Sequence, residues 1–124
     1  MYIMEVGRAL VAFAALSQEH RLQIVRLLVV AGPEGMAAGA LGTKLSAASP
    51  KMSFNLSHLE QAGLIASRRD GRSIRYSIQA AALSGLIGFL LRDCCQGQPE
   101  ICGPAMADLV QNATCIPTIC ESVP

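Results

Sequence analysis

Along the first half of the chain, apolar residues recur with the spacing of helices. Ile3, Val6, Leu10, Phe13 and Ala14 predict a helix over residues 3–16. Ser17 stands where an N-cap would open a second helix, and Glu19 follows in its first turn, where an acid suits the positive end of the helix dipole. On that helix Leu22, Val25 and Leu28 make an i, i+3, i+6 stripe, widened by Ile24 and Leu27, and Gly32-Pro33-Glu34-Gly35 stops it. A short helix near 37–45 offers Ala40, Leu41 and Leu45 as apolar contacts. After a turn at 46–50, Ser49 can cap a further helix and Pro50 suits its first position. Met52, Leu56 and Leu59 form its i, i+4, i+7 stripe, while Lys51, Ser53, Asn55, Ser57 and His58 fall largely on the other faces. Gly63 is placed as the residue just past the helix end.

The period then changes to that of strands. Leu64 to Arg69 and Ser73 to Ile78 flank Asp70-Gly71, a strong hairpin dipeptide. A last helix is expected from Ala80 to Arg92, with Leu83, Ile87 and Leu90 in line. Its Gly85 and Gly88 weaken it but permit close backbone approach. Beyond it, Gly97, Pro99, Gly103, Pro104 and Pro117 predict a tail. The expected fold class is mainly α with a small β-hairpin. At 124 residues the chain suits one folded domain, set at 1–95, followed by a tail at 96–124 that bears most of the cysteines.

Composition supports a packed protein: 52% of residues are apolar and 15% charged, which excludes a disordered chain and leaves apolar surface for a face buried against a second copy. No apolar run approaches the roughly 20 residues that span a bilayer. The longest, Ile24 to Ala31, is broken by Arg26, and Glu5 and Arg8 interrupt any signal-like pattern at the start. The expectation is a soluble, cytoplasmic protein with no membrane partner.

The net charge of +1 conceals an uneven distribution. Residues 44–76 carry Lys44, Lys51, Arg68, Arg69, Arg72 and Arg75 against Glu60 and Asp70, whereas residues 93–124 carry Asp93, Glu100, Asp108 and Glu121 with no Lys or Arg. Two short helices joined by a tight turn and followed by a basic hairpin match a winged helix-turn-helix plan. Polar residues opposite an apolar stripe are most often a solvated face. Here the preceding helix, the hairpin and the local positive charge together favour double-stranded operator DNA as the partner. The N-terminal half of the second helix would enter the major groove with Ser49, Lys51, Ser53 and Asn55. Lysine and hydroxyls suit phosphates and base edges, and asparagine can pair bidentately with adenine. Arg69, Arg72 and Arg75 would bring the wing's charge to an adjacent groove or backbone. His20 and His58 read as surface or partly packed residues rather than ligands.

At these residues the chain resembles a known family. The segments SQEHRLQIVRLL, SPKMSFNLSHLEQAGLI and RRDGRSIRYSI, in this order, look like the ArsR/SmtB family of metal-responsive repressors over about residues 4–95. The resemblance implies a homodimer formed through the first and last helices, which represses an operon until an inducer binds. Two departures stand out. The family's recognition segment often reads Ser-x-His where this chain has Ser53-Phe54-Asn55, and Ala48 stands where a polar cap is common. The first predicts an altered operator preference, and the second a cap shifted to Ser49.

All five cysteines, Cys94, Cys95, Cys102, Cys115 and Cys120, lie near the C-terminal end. An odd count without a signal peptide argues against a disulfide framework. Thiolates select soft ions. Adjacent residues of a regular helix point about 100° apart, so Cys94 and Cys95 would share an ion only where the helix frays, with Gly97 and Pro99 turning Cys102 back towards them. Three thiolates suit trivalent arsenic or antimony; zinc would want a fourth ligand, which Cys115 or Cys120 could supply.

In the family, one familiar arsenic site uses a cysteine pair near the third helix, and zinc sites use His and acids on the last helix. Neither set is present here. The C-terminal Cys-Cys…Cys cluster is similar to another arsenic-sensing arrangement of the family, which implies Cys94, Cys95 and Cys102 as the metal site. The expected function is a repressor released by trivalent arsenic or antimony, with no organic cofactor. The alternatives are the same repressor sensing oxidants or sulfur species through its thiols, or sensing zinc or cadmium. Cys115 and Cys120 could bind a second ion, pair oxidatively, or do neither. An enzyme is not expected: there is no Cys-x₅-Arg loop, no glycine-rich phosphate cradle and no histidine near a cysteine in sequence.

Overall fold

Three alanines decide how the first helix sits. In a computed structural model of the chain, α1 (Val6–Leu16) turns Ala9, Ala12 and Ala15 inward and packs on α2 (Glu19–Ala31) and α4 (Ser49–Gln61). Small side chains let the helix axes approach closely. The larger residues of the expected stripe face outward instead, with Val6 59% and Leu10 63% exposed. The structure describes residues 4–47, 49–94, 96 and 98–112, with backbone alone at 49, 93, 94 and 109–112. Ile3, Ala48, Cys95, Cys115 and Cys120 lie outside the described residues.

The α1–α2 junction differs from expectation by one residue. Ser17 ends α1, its hydroxyl and amide both donating to the Ala14 carbonyl, at 2.9 Å and 3.3 Å. Gln18 is the cap of α2, its side-chain oxygen accepting the Arg21 amide at 2.8 Å. Along α2 the buried set is Arg21, Ile24, Val25 and Leu28, an i, i+3, i+4, i+7 pattern, whereas Leu22 faces solvent. The inward face is thus turned relative to the expected stripe and includes a charged residue.

A 3-10 turn (Gly32–Glu34) leads to a two-residue strand β1 (Met36–Ala37), then to α3 (Ala38–Leu45). Ser46, with φ +52°, ends α3 in a left-handed conformation and begins the turn to α4. In α4, Met52, Leu56 and Leu59 are buried as expected. Its end is a Schellman motif: Gly63, φ +81°, donates to the Glu60 carbonyl, and Leu64 donates to that of Leu59.

β2 (Ile65–Asp70) and β3 (Ser73–Ile78) form the hairpin, with Asp70 opposite Ser73. The two turn residues are Gly71 and Arg72 rather than Asp70-Gly71. Gly71 alone has positive φ, the arrangement of a type II′ turn. β1 adds to β3, giving an antiparallel sheet in the order β1-β3-β2. The sheet therefore has one strand more than the hairpin read from the sequence; a two-residue strand is too short to carry an alternating pattern. Gly35 makes this possible. Its φ is +70°, and a Cβ there would overlap the Tyr76 carbonyl of β3. Burial, with Glu60 adding to it, holds the Tyr76 phenol above its usual pKa.

The last predicted helix is observed as α5 (Ala80–Phe89) followed by a π-helical turn (Leu90–Cys94). Leu86 and Phe89 are buried, whereas Ile87 and Leu90 are exposed. Residues 99–112, expected as tail, are helical: α6 (Pro99–Asn112) begins on proline, which needs no amide bond in a first turn, and contains Pro104. The chain divides into two units, Met1–Gly88 and Phe89–Pro124, with the division inside α5.

The glycines give a paired stability test. Gly35→Ala will lower unfolding free energy by about 2–3 kcal/mol, because it meets both strain and overlap. Gly39→Ala, inside α3 with open space around it, will raise it by about 0.5–1 kcal/mol. Urea unfolding of both variants checks the contrast.

Candidate nucleic-acid interface

The outer face of α4 and the tip of the hairpin carry most of the free positive charge of this region. At 100° per residue, Met52, Asn55, Leu56 and Leu59 share the buried side of α4. Lys51, Ser53, Phe54 and Ser57 are exposed. Ser49 is the first residue of the helix. At the hairpin, Arg69 and Arg72 are exposed and make no hydrogen bond or ion pair within the described residues. Lys44, in the last turn of α3, is also exposed. Lys51, Ser53, Arg69 and Arg72 therefore stand where the sequence placed them, with side chains available to an anion.

Two predicted contacts are withdrawn by packing. Asn55 is only 3% exposed. Its Oδ1 accepts a hydrogen bond from Arg21 NH1 at 3.1 Å, so it reaches no base and is not a reading residue. The reason is phase: Asn55 is three residues beyond Met52 and four before Leu59, which places it inside. The Arg21 guanidinium, 9% exposed, also donates through Nε to the Ala15 carbonyl at 2.8 Å. Among the described residues no carboxylate pairs with it. This link was not foreseen, yet its signal was present: Arg21 is three, four and seven residues before Ile24, Val25 and Leu28.

Arg75 is likewise engaged inside the fold. Its Nε donates to the Glu34 carbonyl and its NH2 to that of Gly35, both at 3.0 Å, and its NH1 lies 4.0 Å from an Asp70 carboxylate oxygen. Arg68, directly opposite Arg75 in the hairpin register, donates to the carbonyls of Pro33 and Glu34 at 3.3 Å and 3.2 Å. Two like charges face each other here because both meet backbone oxygens just beyond the C-terminal end of α2, where the helix dipole is negative. These arginines tie the wing to the 3-10 turn. Arg75 is thus engaged within the fold rather than free.

Of the proposed thiol site, Cys102 alone has a described side chain. It is half-buried in α6 and free of any disulfide. Cys94 ends the π turn, its side chain lies outside the described set, and so does the whole of Cys95. Among the described residues no three His, Cys, Asp or Glu side chains gather as a metal site.

This geometry, a short helix, a tight turn, an exposed polar helix and a basic hairpin, defines a winged helix-turn-helix. Residues 16–68 match the family described as a helix-turn-helix domain. An HTH-type transcriptional regulator of Bacillus subtilis, YceK, is 39% identical over 67 residues, covering 54% of this chain and 66% of that protein. The transcriptional activator HlyU of Vibrio cholerae is 27% identical over 90 residues, covering 73% and 81%. An ArsR-like transcriptional regulator from Rhodococcus sp. RHA1 superposes with a TM-score of 0.65 at 28% identity, over 82% of this chain and 92% of that one. A homodimeric winged helix-turn-helix DNA-binding domain from Mycobacterium bovis gives 0.58 at 27% identity, over 71% and 81%. By these likenesses the chain is similar to winged helix-turn-helix transcriptional regulators of the ArsR and HlyU type.

Asn55→Ala leaves a buried guanidinium short of a partner and will cost about 1–3 kcal/mol of stability. Lys51→Ala, on the exposed face, will change stability by no more than about 0.5 kcal/mol. Urea midpoints of the two variants, measured against the parent, check this.

Proposed function

We propose that the protein is a homodimeric regulator that binds double-stranded operator DNA through α4 and the wing, and that a thiophilic signal at Cys94, Cys95 and Cys102 controls its occupancy. The observation that carries the DNA reading is the set of unpaired, exposed cations, Lys51, Arg69 and Arg72, beside the hydroxyl of Ser53 and the start of α4 at Ser49. A helix N-terminus adds its own positive end and free amides for phosphate. Two such heads in a dimer would reach successive major grooves about 34 Å apart.

The dimer reading is supported by exposed apolar residues on the first and fifth helices. Val6, Leu10 and Val11 on α1 and Ile87 on α5 lie in solvent in a single chain. Val6, Leu10 and Ile87 are residues that helical period marks as buried, and a second copy would cover them together with Val11. The Mycobacterium bovis domain is homodimeric by description. No helix among the described residues is long and apolar enough to cross a membrane.

For the signal, trivalent arsenic or antimony is the ligand that three cysteine thiolates suit, and zinc or cadmium would require a further donor. The cysteine spacing and the free thiol of Cys102 support this reading. Tying residues near the end of α5 to α6 would alter the helices through which the dimer forms, lowering DNA affinity and ending repression. A coupling of about 1–3 kcal/mol suffices, a change of about 5–150-fold.

A second reading rests on HlyU, of which one solved structure is the reduced form. In it, two thiols of this chain are oxidised to a disulfide while a peroxide is reduced to water. HlyU is a transcriptional activator, so release and repression are properties to be measured rather than shared ones.

Fluorescence anisotropy of a promoter duplex tests both halves. Arg72→Ala will reduce the slope of log affinity against log salt by about 0.9, and Leu10→Glu will lower the sedimentation coefficient to that of a monomer. Arsenite will release DNA from the parent and not from Cys94→Ser, Cys95→Ser or Cys102→Ser variants. Release from all three by arsenite would end the arsenic reading. Release by peroxide alone, with a mass loss of two hydrogens, would establish the oxidative one.

A further inference from the structure

The reading face of α4 has an aromatic ring at its centre. With Met52, Asn55, Leu56 and Leu59 pointing to the core, 100° per residue puts Phe54 within about 30° of the opposite direction. It is 65% exposed. Its ring meets the His58 imidazole edge-on, with centroids 6.1 Å apart and planes at 74°, which steadies one side of the ring and leaves the rest in solvent. Lys51, Ser53 and Ser57 surround it with polar groups. A single exposed apolar side chain is ordinary on a protein surface; this one is set apart by its place at the centre of the helix face assigned to DNA.

The fold also removes the expected base reader. Asn55 is turned inward to Arg21, and no arginine, asparagine or glutamine remains on the exposed N-terminal half of α4. The short hydroxyls of Ser53 and Ser57 accept and donate without discriminating strongly between bases. The apolar groups available to a side chain in the major groove are the C5-methyls of thymine, and of 5-methylcytosine, which phenylalanine can cover.

We propose that Phe54 is the specificity-determining residue of this interface and that it reads a pyrimidine 5-methyl group in the major groove. The proposal rests on the DNA-binding reading above. Lys51 and the wing arginines hold the duplex by its phosphates, and Phe54 selects register by burying a methyl against its open face. Each methyl covered contributes about fourfold in affinity, the value of one buried methyl-sized group.

The test uses the full chain and a duplex site selected by it from a random pool. The site is then remade with uracil for thymine, one position at a time, which deletes only the methyl. The parent will lose about fourfold at one or two positions per half-site. Replacing the essential T·A pair by 5-methylcytosine·G will restore part of the loss relative to cytosine·G. Phe54→Ala will bind thymine and uracil duplexes alike, with an unchanged salt slope and urea midpoint; Phe54→Leu will keep part of the discrimination.

Equal binding of the two duplexes by the parent at every position would overturn the proposal while leaving DNA binding intact. Undiminished discrimination by Phe54→Ala would also overturn it, as would a change in self-association on that substitution, which would assign the ring to a protein contact. Absence of salt-dependent binding to any duplex by the parent would instead remove the DNA reading itself, and this inference with it.

Discussion

The buried hydrogen bond between Arg21 and Asn55 is the constraint around which the reading head is arranged. It joins the start of α2 to the middle of α4, and through the Ala15 carbonyl it also holds the end of α1. A guanidinium taken out of water without a carboxylate must have its donors met by neutral oxygens, and a side chain so placed tolerates little displacement. The link therefore sets the rotation of α4 about its own axis. That rotation puts Asn55 inside and Lys51, Ser53 and Phe54 outside. No buried side-chain nitrogen or oxygen among the described residues is left without a partner.

The wing obeys a similar economy. Of the basic residues in the hairpin, Arg68 and Arg75 donate to carbonyls at the 3-10 turn, whereas Arg69 and Arg72 stay free. Alternation along a strand explains part of this division, since Arg68 and Arg69 point to opposite faces of the sheet. The charge counted along residues 44–76 thus exceeds the charge that the surface offers to a phosphate. Gly35 belongs to the same device: its left-handed backbone lets the turn lie against β3, close enough for its own carbonyl to meet Arg75.

Much of the plan was legible in the chain. The two-helix unit, its polar second helix, the Gly63 terminus and the two hairpin strands follow from local rules of period, capping and turn formation. Residue type and packing part company at a few positions: Asn55 is polar yet inward and Leu10 apolar yet outward, because each is governed by what its helix packs against. In α1 the neighbouring helices accept alanines because of their close approach, and this displaces the bulky residues to the outside. Residues 99–112 hold their breakers only at the start of the helix, Pro99, and at Gly103-Pro104.

The sequence by itself determined most of the helices and the two hairpin strands, because those preferences depend on neighbours a few residues away; β1 exists by its pairing with β3. The sequence also determined the localisation of basic residues and cysteines along the chain. Only the tertiary structure decided which of the polar and charged residues remain free to act. Asn55 and Arg75 find partners 34 and 40 or more positions away in the chain, a distance at which no local pattern operates. The exposed ring of Phe54 was likewise settled only when the core had claimed the other side of its helix.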